Sequence, residues 1–353
     1  MRKKTAVLLV VAVAVLVVAA AALTAVFFRP KSDPVVRLNL AHFFPAAHPV
    51  EKRLVQPWIA AIAEATGGRV QITSYPGETL ANAAEIYSGV VTGVADIGIS
   101  CFSYTRGRFP LLEVFELPGI IYLNAKVAGK VAWEGIKVLD PEEIKDTRLL
   151  MVFSTGPGVL FTKTPVRNLE DLRGMGIRAT GLSARTLEAL GASPVAMAQP
   201  EAYEAMAKGI VQGNLAPLEV LEGWRHAEVT SYVTMTPFLY NTLFFMTMSH
   251  KAWERLSPEL QEIFAKVTEE YLEEVAFGLW DWQNESALRW AVEEKGMQVI
   301  ELSPEETERW IQLINPVLDD FVAKIAKMGI DGETVLGTVK DLAGRYNQVY
   351  GNN

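Results

Sequence analysis

The stretch "LRGMGIRAT", residues 172–180, sets a charged group where chemistry could use it. An apolar run, Met175 to Ile177, ends on Arg178, and small and polar residues follow. A guanidinium at the end of a short buried strand has two uses. It can pair with acids of its own domain, and Glu170, Asp171 and Glu201 are close in sequence. Alternatively, it can face a cleft and grip a carboxylate through two parallel hydrogen bonds, which fixes orientation as well as charge. Other reactive patterns are missing. The histidines, His42, His48, His226 and His250, are scattered and fit no zinc helix. No G-x-S-x-G elbow or Walker loop occurs, and "STGPG" at 154–158 lacks the Lys and Ser/Thr of a phosphate cradle. Carboxylate pairs such as Glu142/Glu143 and Glu305/Glu306 sit at helix starts, where they complement the helix dipole. The residues point to binding, with no catalytic set, no metal and no cofactor.

The elements that must position Arg178 can be read from periodicity. "VRLNLAH" alternates as a strand. Val50, Leu54, Trp58, Ile59 and Ile62 then recur at helical spacing until Gly67 and Gly68 stop them. "RVQITSYPG", "AAEIYSGVVTG" and "VADIGIS" add strand, helix and strand. A second round runs from "RLLMVFSTG" through "NLEDLRG", with Asn168 as its cap, then "MGIRAT", "SARTLEALG", "ASPVAMA", "PEAYEAMAKG" and "IVQGNLAP". Strands alternating with helices imply an α/β fold with largely parallel sheets. "LFFMTMSH" is a later strand. From Ser257 to Gly296 the pattern predicts one uninterrupted helix, at ~1.5 Å per residue more than about 50 Å long, leaning on both domains. Ser303 and Glu306 read as a capping box for the terminal helices.

Ligands of open α/β sheets bind beyond the carboxyl ends of the strands. The candidates from the first round are therefore His42, Phe43, Phe44, Tyr75, Ser100, Phe102 and Tyr104. From the second they are Ser154, Thr155, Gly158, Arg178, Thr180, Asn214 and Leu215. Phe43 and Phe44 read equally as core or as cleft wall. Trp224 reads as packing in preference to wall, and its neighbours Arg225 and His226 as solvent-facing. Aromatics from one side and a guanidinium from the other suit an organic acid with an apolar body.

Composition bounds the rest. The chain has 353 residues, enough for two domains, and its net charge of −8 argues against nucleic-acid binding. The one cysteine, Cys101, excludes an internal disulfide and reads as a buried thiol at a strand end. "MRKK" precedes an uncharged apolar run from Thr5 to Phe28, which marks export. The run is long enough to stay as a membrane anchor, so cleavage and retention are both open. Either way the residues from about Lys31 lie outside the cytoplasm.

These residues resemble the solute-binding proteins of tripartite ATP-independent periplasmic (TRAP) transporters. The similarity is carried by "LNLAHFFPAAHPVEKRLVQPWIAAIAEATGGRVQITSYPG", by "YSGVVTGVADIGISCFSYTRGRFPLLEVFELPGI", most specifically by "TPVRNLEDLRGMGIRATGLSARTLEALGASPVAMAQPEAYEAMAKGIVQG", and by "SHKAWERLSPELQEIF". The resemblance implies a periplasmic-binding-protein-like fold of two lobes with a hinge and one long helix spanning both. It assigns 1–30 to a signal peptide or membrane anchor, 31–153 and 241–275 to lobe I, and 154–240 and 276–353 to lobe II. It places Arg178 where the family clamps a ligand carboxylate, and it implies small and large membrane subunits as partners. The chain departs from the family pattern in two places. "STGPGVLFTKTPV" offers no second arginine, and "GIVQGNLAP" has Gln212 and Ala216 where Asp and Asn are usual. One guanidinium and an aromatic wall favour a monocarboxylate with an apolar or aromatic body. A C4-dicarboxylate ligand and a receptor role for a sensor kinase are the alternatives. The long helix offers a dimer face, and monomer and dimer are both open.

Overall fold

The computed structural model describes residues 34–351, so the expected export signal or anchor lies outside the described residues. Among the described residues no helix is long and apolar enough to cross a membrane. The chain begins with β1 (Val36–His42), β2 (Val70–Tyr75), β3 (Ile97–Cys101) and β4 (Arg148–Ser154). It crosses to β5 (Val159–Thr162), β6 (Gly176–Ala179), β7 (Ser193–Ala196), β8 (Gly213–Ala216) and β9 (Tyr232–Met235), returns as β10 (Leu243–Met248), and crosses again to β11 (Gln298–Glu301). Two sheets result, ordered β2-β1-β3-β10-β4 and β11-β9-β5-β8-β6-β7, one in each lobe. The sheets are more mixed than expected. β1 pairs in parallel with β2 and β3, but β10 enters antiparallel between β3 and β4. β5 is antiparallel to both β8 and β9. Each antiparallel strand follows a crossing, where the chain arrives from the other lobe instead of over a helix.

Local chemistry explains the helices. Trp58 and Ile62 bury the apolar stripe of Gln56–Ala65, which follows a wide π turn at Val50–Val55. Gly67 and Gly68 then take positive φ and stop it. Asn168 accepts from the Asp171 amide at 2.9 Å, as its capping role predicts. Ser303 caps Glu306 N at 3.2 Å, but only half of the capping box forms, because the Glu306 carboxylate instead accepts from Leu169 N and Trp310 Nε1, both at 3.1 Å. A helix that the periodicity reading passed over, Ala125–Leu139, is capped by Asn124 and packs on β4.

The predicted uninterrupted helix is broken. Pro258–Tyr271 gives way to a π turn at Leu272–Ala276, and Leu279–Lys295 continues after Gly278. The path still joins the lobes, for Leu260, Phe264 and Val267 lie in the first core while Ala287 and Ala291 pack with Val159, Phe161 and Val233 of the second. A second path does the same. The 23-residue helix Pro304–Ala326 buries Trp310 and Ile314 in a separate cluster of the second lobe, with Leu160 and Leu215, and Val317, Phe321 and Ile325 in the first core. Pro316, which has no amide to donate, sits at the passage between them. The terminal helix Gly332–Tyr350 lies against Ala125–Leu139 and gives Val335, Leu336, Val339 and Ala343 to the first core. The end of the 276–353 segment therefore belongs with the first lobe, contrary to the expected division, because its apolar stripe is completed there.

Glu116 ties a loop of the first lobe to the returning strand: its Oε1 accepts from Leu243 N at 2.7 Å. Burial, reinforced by the nearby Glu113, pushes its pKa up to about 8. Between the ordinary carboxylate value and about 8, the folded chain keeps a proton that the unfolded chain has released. That contribution to stability is complete at acid pH and is lost as pH rises toward the folded value. The Tm of the wild type should fall between about pH 5 and pH 9 more steeply than that of Glu116→Gln. Parallel melting curves for the two proteins across this range would refute the assignment.

Candidate functional site

Arg178 is the third residue of β6, paired in register with Asn214 of β8 and Val195 of β7, and only 2% exposed. Its Nε donates to Met197 O at 3.0 Å, Nη1 to Asn214 Oδ1 at 3.3 Å, and Nη2 to the Tyr104 hydroxyl at 3.5 Å. None of these acceptors is charged. The acids that could have paired with it are engaged elsewhere: Glu170 with Arg309 at 2.8 Å, Asp171 with Arg167 N at 2.8 Å, and Glu201 with Ala198 N at 3.2 Å. The intralobe salt bridge does not form. A buried cation without a counter-charge is costly, and a ligand carboxylate would relieve that cost.

Behind Arg178 lies a buried polar chain. Asn214 turns its oxygen to the guanidinium, so its Nδ2 donates to His226 Nδ1 at 3.2 Å. With Nδ1 accepting, the ring carries its hydrogen on Nε2, which lies 2.9 Å from Gln199 Nε2; the two groups bond only when the Gln199 amide is turned to present its oxygen. Burial, with the charge of Arg178 added, pushes the His226 pKa down to about 3. The expected surface position of His226 is therefore corrected. Arg225 alone faces solvent, with positive φ and an ion pair to Glu228 at 2.9 Å, and this turn sends His226 inward.

The wall opposite Arg178 is a row of rings. Tyr104 lies 5.4 Å from Phe43, Phe43 4.3 Å from Phe44, and Phe44 4.8 Å from His48. Trp224 covers the row from the second lobe, 6.1 Å from Phe43 and 5.6 Å from His48, so it is wall as much as packing. Phe43 and Phe44 enter the wall because they directly follow β1. Phe43, Phe44, Tyr104, Trp224 and Arg178 line a narrow cavity of about 20 Å³ between the lobes, space for about one water molecule in this closed arrangement. At the far end of the row, His48 Nε2 lies 3.1 Å from Oε2 of Glu219, a buried carboxylate of the second lobe. Cys101 also borders the cavity, and burial raises its thiol well above the usual range, which makes it inert.

The predicted residues divide clearly. Phe43, Phe44, Thr155, Arg178 and Thr180 line the cavity, and Asn214 supports Arg178 from behind. Gly158 acts at one remove: a Cβ there would fall 2.3 Å from the Tyr240 ring, and Tyr240 lines the cavity. Leu215 is core, and its carbonyl accepts from the Tyr240 hydroxyl at 3.0 Å. Ser154 joins the crossing strands through Asn241 and Thr242 O. His42 turns to Glu51 at 2.7 Å, Ser100 donates to Ala83 O, and Phe102 packs on Phe109 and Phe245. Tyr75 is half-buried at the end of β2, away from the cavity. Alternation accounts for His42, Ser100 and Ser154, since neighbouring strand residues face opposite sides. Glu219, Gln199, Tyr240 and Phe244 were missed. For Glu219 a signal existed: an acid between apolar Leu218 and Val220, soon after β8.

Residues 40–325 match the family described as bacterial extracellular solute-binding protein, family 7. The chain belongs to that family. Its members are solute-binding proteins and not enzymes, and the resemblance to TRAP transporter solute-binding proteins holds. A similar solved structure is a TRAP solute-binding protein from Rhodoferax ferrireducens T118 in complex with copurified benzoate. It shows 26% identity over 89% of this chain and 99% of that one, with a TM-score of 0.84. Another, from a marine metagenome, is specific for aromatic acid ligands and holds 3-hydroxybenzoate. It shows 28% identity over 89% and 100% of the two chains, with a TM-score of 0.84. Among curated relatives, the C4-dicarboxylate-binding periplasmic protein of Rhodobacter capsulatus is 25% identical over 74% of this chain and 79% of its own.

The hydrogen-bond chain fixes the protonation state of His226. Nitrogen NMR of the family 7 protein should show its imidazole neutral, with hydrogen on Nε2, from about pH 5 to pH 8. A ring that titrates near the ordinary histidine value would contradict this arrangement.

Proposed function

We propose that this protein is the extracytoplasmic receptor of a TRAP transporter and captures a monocarboxylate with an aromatic body, which it delivers to the membrane subunits for uptake. The observation that carries this reading is Arg178, a buried guanidinium with no anionic partner among the described residues, at one end of a row of aromatic rings. A ligand carboxylate would complete its charge, and the ligand body would lie on Phe43 and Phe44 under Trp224. Tyr104 brings the first lobe to the same point: its hydroxyl accepts from Arg178 and, at 3.0 Å, from Gln199 N of the second lobe. Such a ligand would thus be enclosed by both lobes. Benzoate and 3-hydroxybenzoate in the two similar structures support an aromatic acid.

A C4-dicarboxylate fits less well. Arg178 is the only cation among the residues that line the cavity, and the other charged group there is the carboxylate of Glu219. A second ligand carboxylate would meet like charge.

Calorimetric titration with benzoate and with succinate tests the reading. Benzoate should bind the wild type and succinate should not. Arg178→Ala should weaken benzoate by about 2–5 kcal/mol, the usual cost of removing one partner of a buried charge pair, and Arg178→Lys should recover part of the loss. Tight succinate binding without benzoate binding would overturn it.

A further inference from the structure

Glu219 is an acid in a place where the bound carboxylate of the proposed ligand needs none. It lies in the wall shared by the cavity and a neighbouring cleft, 4% exposed. Its position is built: the backbone amide donates to Asn284 Oδ1 at 2.9 Å, and Oε2 is 3.1 Å from His48 Nε2. His48 Nδ1 accepts from Val50 N at 3.2 Å, so the ring's hydrogen is on Nε2 and is donated to Glu219. Oε1 takes no hydrogen bond among the described residues and is not fully enclosed, since Glu219 also borders the neighbouring cleft; no lysine or arginine of the described residues lies within ion-pair distance.

The row of rings places this free acceptor. Arg178 bonds Tyr104 at one end, and Glu219 bonds His48 at the other, with Phe43 and Phe44 between. The two charged groups therefore bracket the bed on which an aromatic ring would lie. A ligand with only a carboxylate would satisfy Arg178 and leave Glu219 facing apolar ring edge. Covering that oxygen with apolar surface would cost it its access to water, whereas a hydrogen bond to a charged group is among the stronger ones.

We propose that Glu219 is a specificity-determining residue that selects aromatic acids carrying a hydroxyl or ammonium donor at the end opposite the carboxylate. This rests on the reading of Arg178 as the carboxylate clamp. The donor would bond to Oε1 while His48 keeps Oε2.

The test is calorimetric titration of wild type and Glu219→Gln with phenylacetate, 3- and 4-hydroxyphenylacetate, their methoxy ethers, and 4-(aminomethyl)benzoate. One hydroxy isomer or the ammonium acid should bind the wild type about ten-fold or more tightly than phenylacetate, and the ethers should lose that gain. Which of the two gains tells hydroxyl from ammonium. In Glu219→Gln, which keeps the side-chain shape, the gain should shrink while phenylacetate affinity stays within a few-fold. Equal affinity of the wild type for phenylacetate and for all donor-bearing acids would overturn the role of Glu219 and leave the clamp intact. So would a Glu219→Gln loss that is uniform across the series, since it would mark the His48 contact as a mere brace. If no acid in the series binds, the reading of the cavity falls, and the role of Glu219 with it.

Discussion

The cavity is organised by one constraint: a guanidinium is held out of water and makes no ion pair among the described residues. Three neutral acceptors, Met197 O, Asn214 Oδ1 and the Tyr104 hydroxyl, orient it without neutralising it. Such an arrangement is tolerable only if nothing nearby adds positive charge. The neutral His226, whose pKa burial and Arg178 together hold near 3, meets that condition. Arg178 sets the orientation of the Asn214 amide, and the amide in turn sets the tautomer of His226. A small polar chain in the second lobe thus leaves one cation available and points it in one direction.

The first lobe supplies the complementary half. Phe43 and Phe44 extend from the end of β1, and Tyr104 and His48 continue the row at either side. Aromatic faces provide area with little polarity, so the polar groups at the two ends set orientation. Neither lobe has a site alone. The guanidinium is on one, the rings are mainly on the other, and Tyr104 and His48 each reach across to a partner in the second lobe.

Features that depend on near neighbours in sequence could be read directly. The caps at Asn168 and Ser257, the glycine stops, and the alternation that ends β1 before Phe43 are all local, and the structure has them as expected. Arg178 could be singled out because a charge ending an apolar strand is locally anomalous. Glu219 carries the same kind of signal, as an acid between apolar neighbours, whereas His226 and Tyr240 do not, since each owes its place to partners distant in the chain. The spanning helix shows the same limit. Apolar spacing from Pro258 to Lys295 is uninterrupted, and spacing does not register a change from i→i+4 to i→i+5 hydrogen bonding. Nor does it reveal that Pro304–Ala326 passes from one core to the other, because both halves of that helix are equally apolar on one side.

Those two helical paths act as beams fixed at each end in a different core, and each has a notch. In one it is the π turn at Leu272–Ala276, which is still embedded in the first core; in the other it is Pro316, which lies where its beam leaves one core for the other. A helix resists bending most where its ladder of hydrogen bonds is complete and least where a rung is displaced or absent. The π turn, packed within the first core, would move with its lobe. Bending of one lobe against the other would fall on Pro316, where a rung is absent between two anchored halves of the same helix. The compliance of that beam is thereby concentrated in very few residues.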